Sequence, residues 1–349
     1  MIDTIKFYIP ISDLEILEKL KGSLMRFKKD DMKTGEVEFE FFTSQIELGS
    51  YSRTISLRAN EKPRGLFLEF SLPKYEKGNN VEMIHPDDLE KIMAKMYLDL
   101  CKHLDYYELP HFSNWIIYRL DVCYNWLFKS KDETRQAIDF IKRIDYPRKK
   151  KYVWDTSVMH KGTAYSIKFY VKGAEFKKHD LKKIMSDDKY ELLEWANHIV
   201  RFEVNLKRNY LNDYFGLKNV FVRDIANDKI ILDILIFYLA KVFYYINTKT
   251  MTQAEVEKIL FANFSKQKAT RLYSFYKEYY SDSEIKMMYL NGGLNRSTIY
   301  RYKKDLKDVG IGFSLSDTPT GRGILEQLVI PSENSKFDLI GKFNILPTI

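Results

Sequence analysis

A chain of 349 residues with 45% hydrophobic residues and mixed charge is not a disordered protein, and it can hold one large or two ordinary domains. Its 56 Lys and Arg against 48 Asp and Glu leave a net charge of +8, and 25 Tyr and 23 Phe accompany it, a balance suited to nucleic acid because cations neutralise phosphates and rings stack on bases. The only cysteines, Cys101 and Cys123, form no CxxC, which excludes a disulfide framework and a zinc ribbon.

In chain order, the opening "MIDTIKFYIP" has an acid at position 3 and no apolar run behind basic residues, so it is no signal peptide and a soluble cytoplasmic protein is expected. Between 36 and 72 the stretches "EVEFEFFT", "RTISLRA" and "GLFLEFSLP" alternate as strands with turn residues between them. "SLPKYEKGNN" then reads as a loop that sets Lys74, Lys77, Asn79 and Asn80 around a glycine, suited to phosphate or base contact or simply to a surface turn. "HPDDLEKIMAKMYLDLCKHL" is an amphipathic helix entered at Pro86 and Asp87 or Asp88. "NWIIYRLDVCYNW" is a strand and "KDETRQAIDFIKRI" a helix, and the basic run "YPRKKKY" leads into a hairpin of "KYVWDTSVM" and "TAYSIKFYV". "YSIKFYVKGAE" reads as one strand, "YELLEWAN" as a helix and "HIVRFEVNLK" as a further strand.

Beyond about residue 210 helical periodicity takes over. "IILDILIFYLAKVFYYI" is interrupted by Asp233 and Lys241, which makes it a buried helix more readily than a membrane span. The expected architecture is α+β: an antiparallel sheet with helices on one face over residues 1–225, then an all-helical region, 226–349. Near 282–310 "SEIKMMYL", a Gly-Gly turn and "NRSTIYRYKKDLKDVGI" have helix-turn-helix spacing, with Arg296, Thr298, Arg301 and Lys304 set for phosphate or major groove, or a basic outer face on a packed helical pair.

Side chains alternate faces along a strand. "LFLEFS" therefore groups Phe67, Glu69 and Ser71; "IYRLDVCY" groups Arg119, Asp121 and Cys123; "VRFEVNLK" groups Arg201, Glu203, Asn205 and Lys207; and the fourth strand groups Lys168, Tyr170 and Lys172. Such a face can meet water through cross-strand ion pairs. It can also work chemically: convergent carboxylates Asp121, Glu203 and Glu69 hold Mg²⁺ or Mn²⁺, the cation polarises a phosphoryl oxygen, and a tyrosine hydroxyl attacks. A free tyrosine has a pKa of roughly 10, so Lys172 is expected to assist Tyr170. The histidines form no HxH or HExxH, and no GxxxxGK[ST] is present.

The segment "FYVKGAEFKKH" resembles the Tyr-x-Lys segment of the phage/plasmid replication protein II/X family, the filamentous-phage gene II initiators. "EFSLPKYEKGNN", "YRLDVCY" with "ETRQAIDFIKRI", "WDTSVMHKGTAYSIKFY" and "LLEWANHIVRFEVNLKRNYLNDYFGL" are similar to further blocks of that family in the same order. The resemblance implies rolling-circle replication initiation: a metal-dependent nick at origin DNA, a 5′ phosphate linked to tyrosine, a 3′ hydroxyl for the host polymerase, a host helicase as a further partner, and later rejoining, in a bacterial cytoplasm. A homo-oligomer on DNA is compatible with it. Carried over by position, Tyr170 is the nucleophile, Lys172 its companion, Asp121 and Glu203 metal ligands and Glu69 a third; Lys168, Arg119 and Arg201 are set for DNA. The Glu175 to His179 spacing is one residue longer than in the phage protein. A non-catalytic DNA-binding regulator and a nuclease using water stand as the alternatives.

Overall fold

The computed structural model describes residues 1–30, 37–48, 51–61, 63–144, 146, 149–184, 188–243, 253–281, 295–311, 328 and 330. Ten strands form one antiparallel sheet: β1 (Ile2–Pro10), β2 (Met25–Asp30), β3 (Val37–Leu48), β4 (Tyr51–Glu61), β5 (Arg64–Ser71), β6 (Ile116–Leu127), β7 (Lys150–Trp154), β8 (Ser157–Lys161), β9 (Tyr165–Val171) and β10 (Ile199–Lys207). Their order across the sheet is β2-β3-β4-β5-β1-β6-β10-β9-β8-β7. The opening decapeptide, which carries no strand expectation from sequence, is thus a central strand, flanked by β5 and β6.

Period-2 alternation decides which face is buried. Ile5, Phe7 and Ile9, Leu66, Leu68 and Phe70, Leu120 and Val122, Ile167 and Phe169, and Phe202 and Val204 are all buried in one core. Trp126 lies in this layer, stacked with Phe169 and Phe202 at interplanar angles of 6° and 21°. The helices α1 (Leu14–Gly22), α2 (Leu72–Lys77), α3 (Leu89–Leu104), α4 (Lys131–Arg143), α5 (Lys172–His179), α6 (Lys189–Ala196), α7 (Arg208–Phe215), α8 (Val222–Ile225) and α9 (Asp228–Phe243) follow in chain order. Apolar residues of α3, α4 and α9, among them Met93, Ile138 and Leu235, belong to that same core. A smaller cluster of Val81, Phe176, Ile184, Ala196 and Ile199 packs α5 and α6 at one end of the sheet. The sheet is therefore the α+β platform that the strand alternation leads one to expect.

Two segments differ from their sequence reading. "SLPKYEKGNN" is not a loop throughout: Leu72–Lys77 is helical, with Pro73 in its first turn and Gly78 at φ 69° closing it. Strand β9 stops at Val171, and Lys172 begins α5, so Lys172 leaves the alternating face. The cause is tertiary. Gly173 lies against the backbone of Asn197, where a Cβ would approach Asn197 Cα and N within 2.8 Å. That close approach turns the chain onto α6.

The C-terminal helices α10 (Gln253–Asn263), α11 (Lys266–Ser281) and α12 (Arg296–Asp308) share a separate core of Val256, Leu260, Leu272, Phe275, Ile299 and Leu306. The first helix and the Gly-Gly turn of the expected helix-turn-helix lie outside the described residues. Among the described residues no helix is long and apolar enough to cross a membrane.

Candidate functional site

The polar face of the sheet is ordered in cross-strand rows, because directly opposed residues of antiparallel strands share a face. One row runs Glu69, Lys6, Arg119, Lys207. The next runs Thr4, Asp121, Asn205, Ser166. A third runs Cys123, Glu203, Lys168, Met159, and a fourth Asn125, Arg201, Tyr170, Ser157. Register thus sets Asp121, Glu203 and Tyr170 on successive rows of one surface.

The Tyr170 hydroxyl donates to Glu203 Oε2 at 3.0 Å. Lys168 Nζ stands 4.2 Å from the centroid of the Tyr170 ring, a cation–π contact, and Lys172 Nζ stands 5.9 Å from it. Tyr170 is only 4% exposed. Burial, then the neighbouring Glu203 carboxylate, push its pKa well above the ordinary tyrosine value. Glu203 is raised by burial and by Asp3, and Asp121 by burial and by Glu203 and Asp3 against the opposing pull of Arg119. Burial and crowding thus make both carboxyls hold their protons more readily than exposed ones do.

Arg119 grips Asp121 with Nε and Nη2, both at 3.1 Å, and Glu69 with Nη1 at 3.0 Å. Glu69 also meets Lys6 at 3.4 Å, so both of its oxygens face cations in the first row, apart from Glu203. Asn205 Nδ2 donates to Asp121 Oδ1 and ties the second row together.

Arg201 is fully buried. Its Nε donates to Asn125 Oδ1 at 2.7 Å, its Nη2 to the Val81 carbonyl at 2.9 Å, and its Nη1 lies 3.8 Å from Asp3 Oδ1. A guanidinium so enclosed clamps the 79–82 segment to the sheet and presents nothing to solvent. Lys172, also 0% exposed, pairs with Glu175 at 2.5 Å, and burial pulls its ammonium down to about 8. His179 lies in the last turn of the same helix.

The remaining expected DNA contacts are dispersed. Lys74 binds Asp180 at 2.9 Å and Lys77 binds Glu82 at 3.1 Å. Asn79 and Asn80 are buried, and Asn79 Oδ1 accepts from the Val81 and Glu82 backbone in a local turn. On α12, Arg301 and Lys304 are exposed and Thr298 is half-buried; Arg296 opens the helix, and its side chain lies outside the described residues.

Asp3 is the functional-face residue that sequence reasoning missed. The pairing of β1 with β6 shifts between Ile2 and Thr4, and this bulge inserts Asp3 beside Thr4, whose hydroxyl donates to it at 3.3 Å. An acid within an apolar alternating start was the available signal. Beside the rows lies an open groove of about 340 Å³, lined by Met159, Lys161, Lys168, Glu203, Asn205 and Lys207, among others.

A cation would find oxygen donors here, and the mutual repulsion of Asp121, Glu203 and Asp3 favours one. Among the described residues no group of three or more His, Cys, Asp or Glu forms a ready cage.

The sheet and its polar face lie within the part of the chain that matches a replication-associated protein family. The chain belongs to the family of phage replication-associated proteins of the gene II type, whose N-terminal model matches residues 1–225. Among solved structures it is similar to a rolling circle replication initiator protein from Geobacillus stearothermophilus, at 12% identity and a TM-score of 0.34, over 69% of this chain and 84% of that one. No curated protein matches it.

Proposed function

We propose that the protein initiates rolling-circle replication by nicking one origin strand with Tyr170 and later rejoining it. The single observation that carries this reading is the Tyr170 to Glu203 hydrogen bond beside the cationic groove. Because the Tyr170 pKa is raised, the hydroxyl stays protonated at neutral pH and becomes a nucleophile only as its proton leaves. Glu203, already hydrogen-bonded and more basic than an ordinary carboxylate, accepts that proton. The tyrosine oxygen bonds to phosphorus, the bond from phosphorus to the 3′ oxygen breaks, and that oxygen takes a proton from water to leave as a 3′ hydroxyl for the host polymerase. Rejoining reverses each transfer, with the proton returned to tyrosine.

Lys168 moves off the buried ring to admit the phosphate and then balances its charge. Lys172, held by Glu175, keeps a positive charge near the phenol and anchors the turn into α5. Glu203 and Asp121, with Asn205 beside them, would hold Mg²⁺ or Mn²⁺, and Glu69 keeps Arg119 in place. When bound, the ion polarises a phosphoryl oxygen. Residues 1–225 act as the nicking unit and 226–349 as the DNA-binding unit, with Arg301 and Lys304 of α12 on the origin duplex, in the cytoplasm of a bacterium.

The test mixes the protein with its origin DNA and Mn²⁺ and looks for a denaturant-resistant adduct. An adduct lost in Tyr170→Phe supports the proposal. Nicking without an adduct would point to water as the nucleophile, and tight binding without cleavage to a regulator.

A further inference from the structure

The register extends the polar rows beyond Tyr170 to the outermost strand. Lys150, Tyr152 and Trp154 of β7 lie opposite Lys161, Met159 and Ser157 of β8, which in turn lie opposite Ser166, Lys168 and Tyr170 of β9. Tyr152 therefore ends the row of Glu203 and Lys168, and Trp154 ends the row of Arg201 and Tyr170. Their two rings lie nearly parallel, 11° apart with centroids at 5.9 Å, and Trp154 is 48% exposed. Lys150 Nζ sits 5.0 Å from the centroid of the Tyr152 ring.

An exposed tryptophan stacked beside a tyrosine on a sheet edge would ordinarily turn inward or be replaced by a charge. Neither ring has a part in the chemistry at Tyr170. Their neighbours on the same face are Lys150, Lys161 and Lys168, and the last two line the groove beside Glu203, with Lys207 further along it. Flat aromatic faces beside a cationic track are what an unpaired nucleic-acid strand needs: the rings take bases of any sequence and the lysines follow the phosphates. A duplex hides its base faces within its stack and cannot use them.

We propose that the β7–β8 hairpin is a stacking subsite for unpaired bases of the DNA strand to be cut, with Tyr152 and Trp154 as its platform and the lysines as its backbone track. The assignment rests on the reading of Tyr170 as the nicking residue only for the identity of the strand as DNA. Two strand spacings, about 4.8 Å each, separate the Trp154 and Tyr170 positions, so one bound strand touches both. The platform holds the strand and the tyrosine cuts it.

The experiment measures the affinity of the full chain for a fluorescent single-stranded oligothymidylate, for a duplex and for the ribo-oligonucleotide equivalent. The variants are Tyr152→Ala with Trp154→Ala, Tyr152→Phe with Trp154→Phe, and Tyr170→Phe. Alanine at both positions is expected to weaken single-strand binding about 10- to 100-fold, as loss of base stacking does, and to leave duplex binding within about twofold. The phenylalanine pair retains most of the affinity because it keeps two π faces. Unchanged single-strand affinity in the alanine pair overturns the subsite, as does an equal loss in the phenylalanine pair or on duplex. Tighter binding of the ribo-oligonucleotide overturns DNA as its occupant. The nicking proposal is read separately, by the adduct in wild type and in Tyr170→Phe. An absent adduct with ring-dependent single-strand binding overturns nicking and keeps the subsite.

Discussion

Tyr170 and Glu203 meet diagonally across two strands: Tyr170 is opposite Arg201 and Glu203 opposite Lys168, yet the phenol reaches one row over to Glu203 Oε2 at 3.0 Å. Long side chains make such diagonal contacts. The geometry pairs a hydroxyl with a carboxylate, which on the proposed function is its base. Glutamine at 203 keeps an acceptor oxygen but cannot take a proton. Glu203→Gln should therefore slow adduct formation about 10²- to 10⁴-fold while origin affinity stays within a few fold. Single-turnover adduct formation across pH checks this. The variant's rate should stay low at every pH, because an amide takes no proton across that range. A near wild-type rate in the variant would remove Glu203 from the chemistry.

The same raised pKa values bear on stability. A carboxyl whose folded pKa exceeds its unfolded one binds more protons when folded, so its contribution is complete below about pH 4 and is lost as pH rises through the folded value. Asp121 and Glu203 both shift upward. Metal-free protein should thus lose thermal stability as pH rises from about 4 through neutrality, and Glu203→Gln should flatten part of that loss. Added Mn²⁺ should raise the wild-type Tm at neutral pH and raise that of the variant less. Calorimetry with and without the ion reads both effects, and an identical Mn²⁺ response in the two proteins would count against Glu203 as a ligand.

Arg201 separates a structural cation from a DNA contact. Its buried guanidinium holds Val81, Asn125 and Asp3 together. Removing one member of a buried charged network costs about 3–5 kcal/mol, so Arg201→Met should lower the urea midpoint strongly. Lys207, by contrast, lines the groove and is exposed. Lys207→Ala should leave stability nearly unchanged and reduce the salt dependence of single-strand binding by a slope of about 0.7, the loss of one phosphate contact. An Arg201 variant of full stability with a reduced slope would restore the arginine to the DNA surface.

The strand faces were legible because their period is short and uninterrupted. Phe169 and Ile167 against Tyr170 and Lys168, and Val204 against Glu203, declare their sides from sequence alone, and the observed register agrees. The end of that strand was not legible, since alternation runs on through Lys172 and only the approach of Gly173 to Asn197, on α6's far end, makes the chain turn. The short helix at Leu72–Lys77 had its start and stop signals, Pro73 and Gly78, but six residues are too few for periodicity to register. Asp3 depended on a bulge between β1 and β6, a pairing that no local pattern encodes.

Arg301 and Lys304 lie exposed on α12, three residues apart on the helix surface. As duplex contacts they should act on origin binding without touching the cut. Arg301→Ala with Lys304→Ala should weaken duplex affinity about tenfold, the scale of one or two lost charged contacts, and leave adduct formation on a single-stranded substrate unchanged. Gel-shift titration on duplex beside adduct formation on single strand gives the comparison; equal loss in both would mean that α12 serves the nicking unit itself.

Gly173 offers a test of how the turn into α5 supports the site without contributing a functional group. A Cβ there meets the Asn197 side chain and comes within 2.8 Å of its backbone N and Cα, atoms that cannot move aside alone. Gly173→Ala should therefore destabilise the fold by about 1–3 kcal/mol, the usual scale of overpacking, and displace the start of α5, with Lys172 and its partner Glu175. If Lys172 matters to Tyr170 through position, adduct formation should fall about tenfold at a temperature where the variant remains folded, while single-strand affinity holds. Circular dichroism establishes the fold and single-turnover kinetics the rate. A folded variant that forms the adduct at the wild-type rate would leave the Lys172–Glu175 pair with a role in stability only.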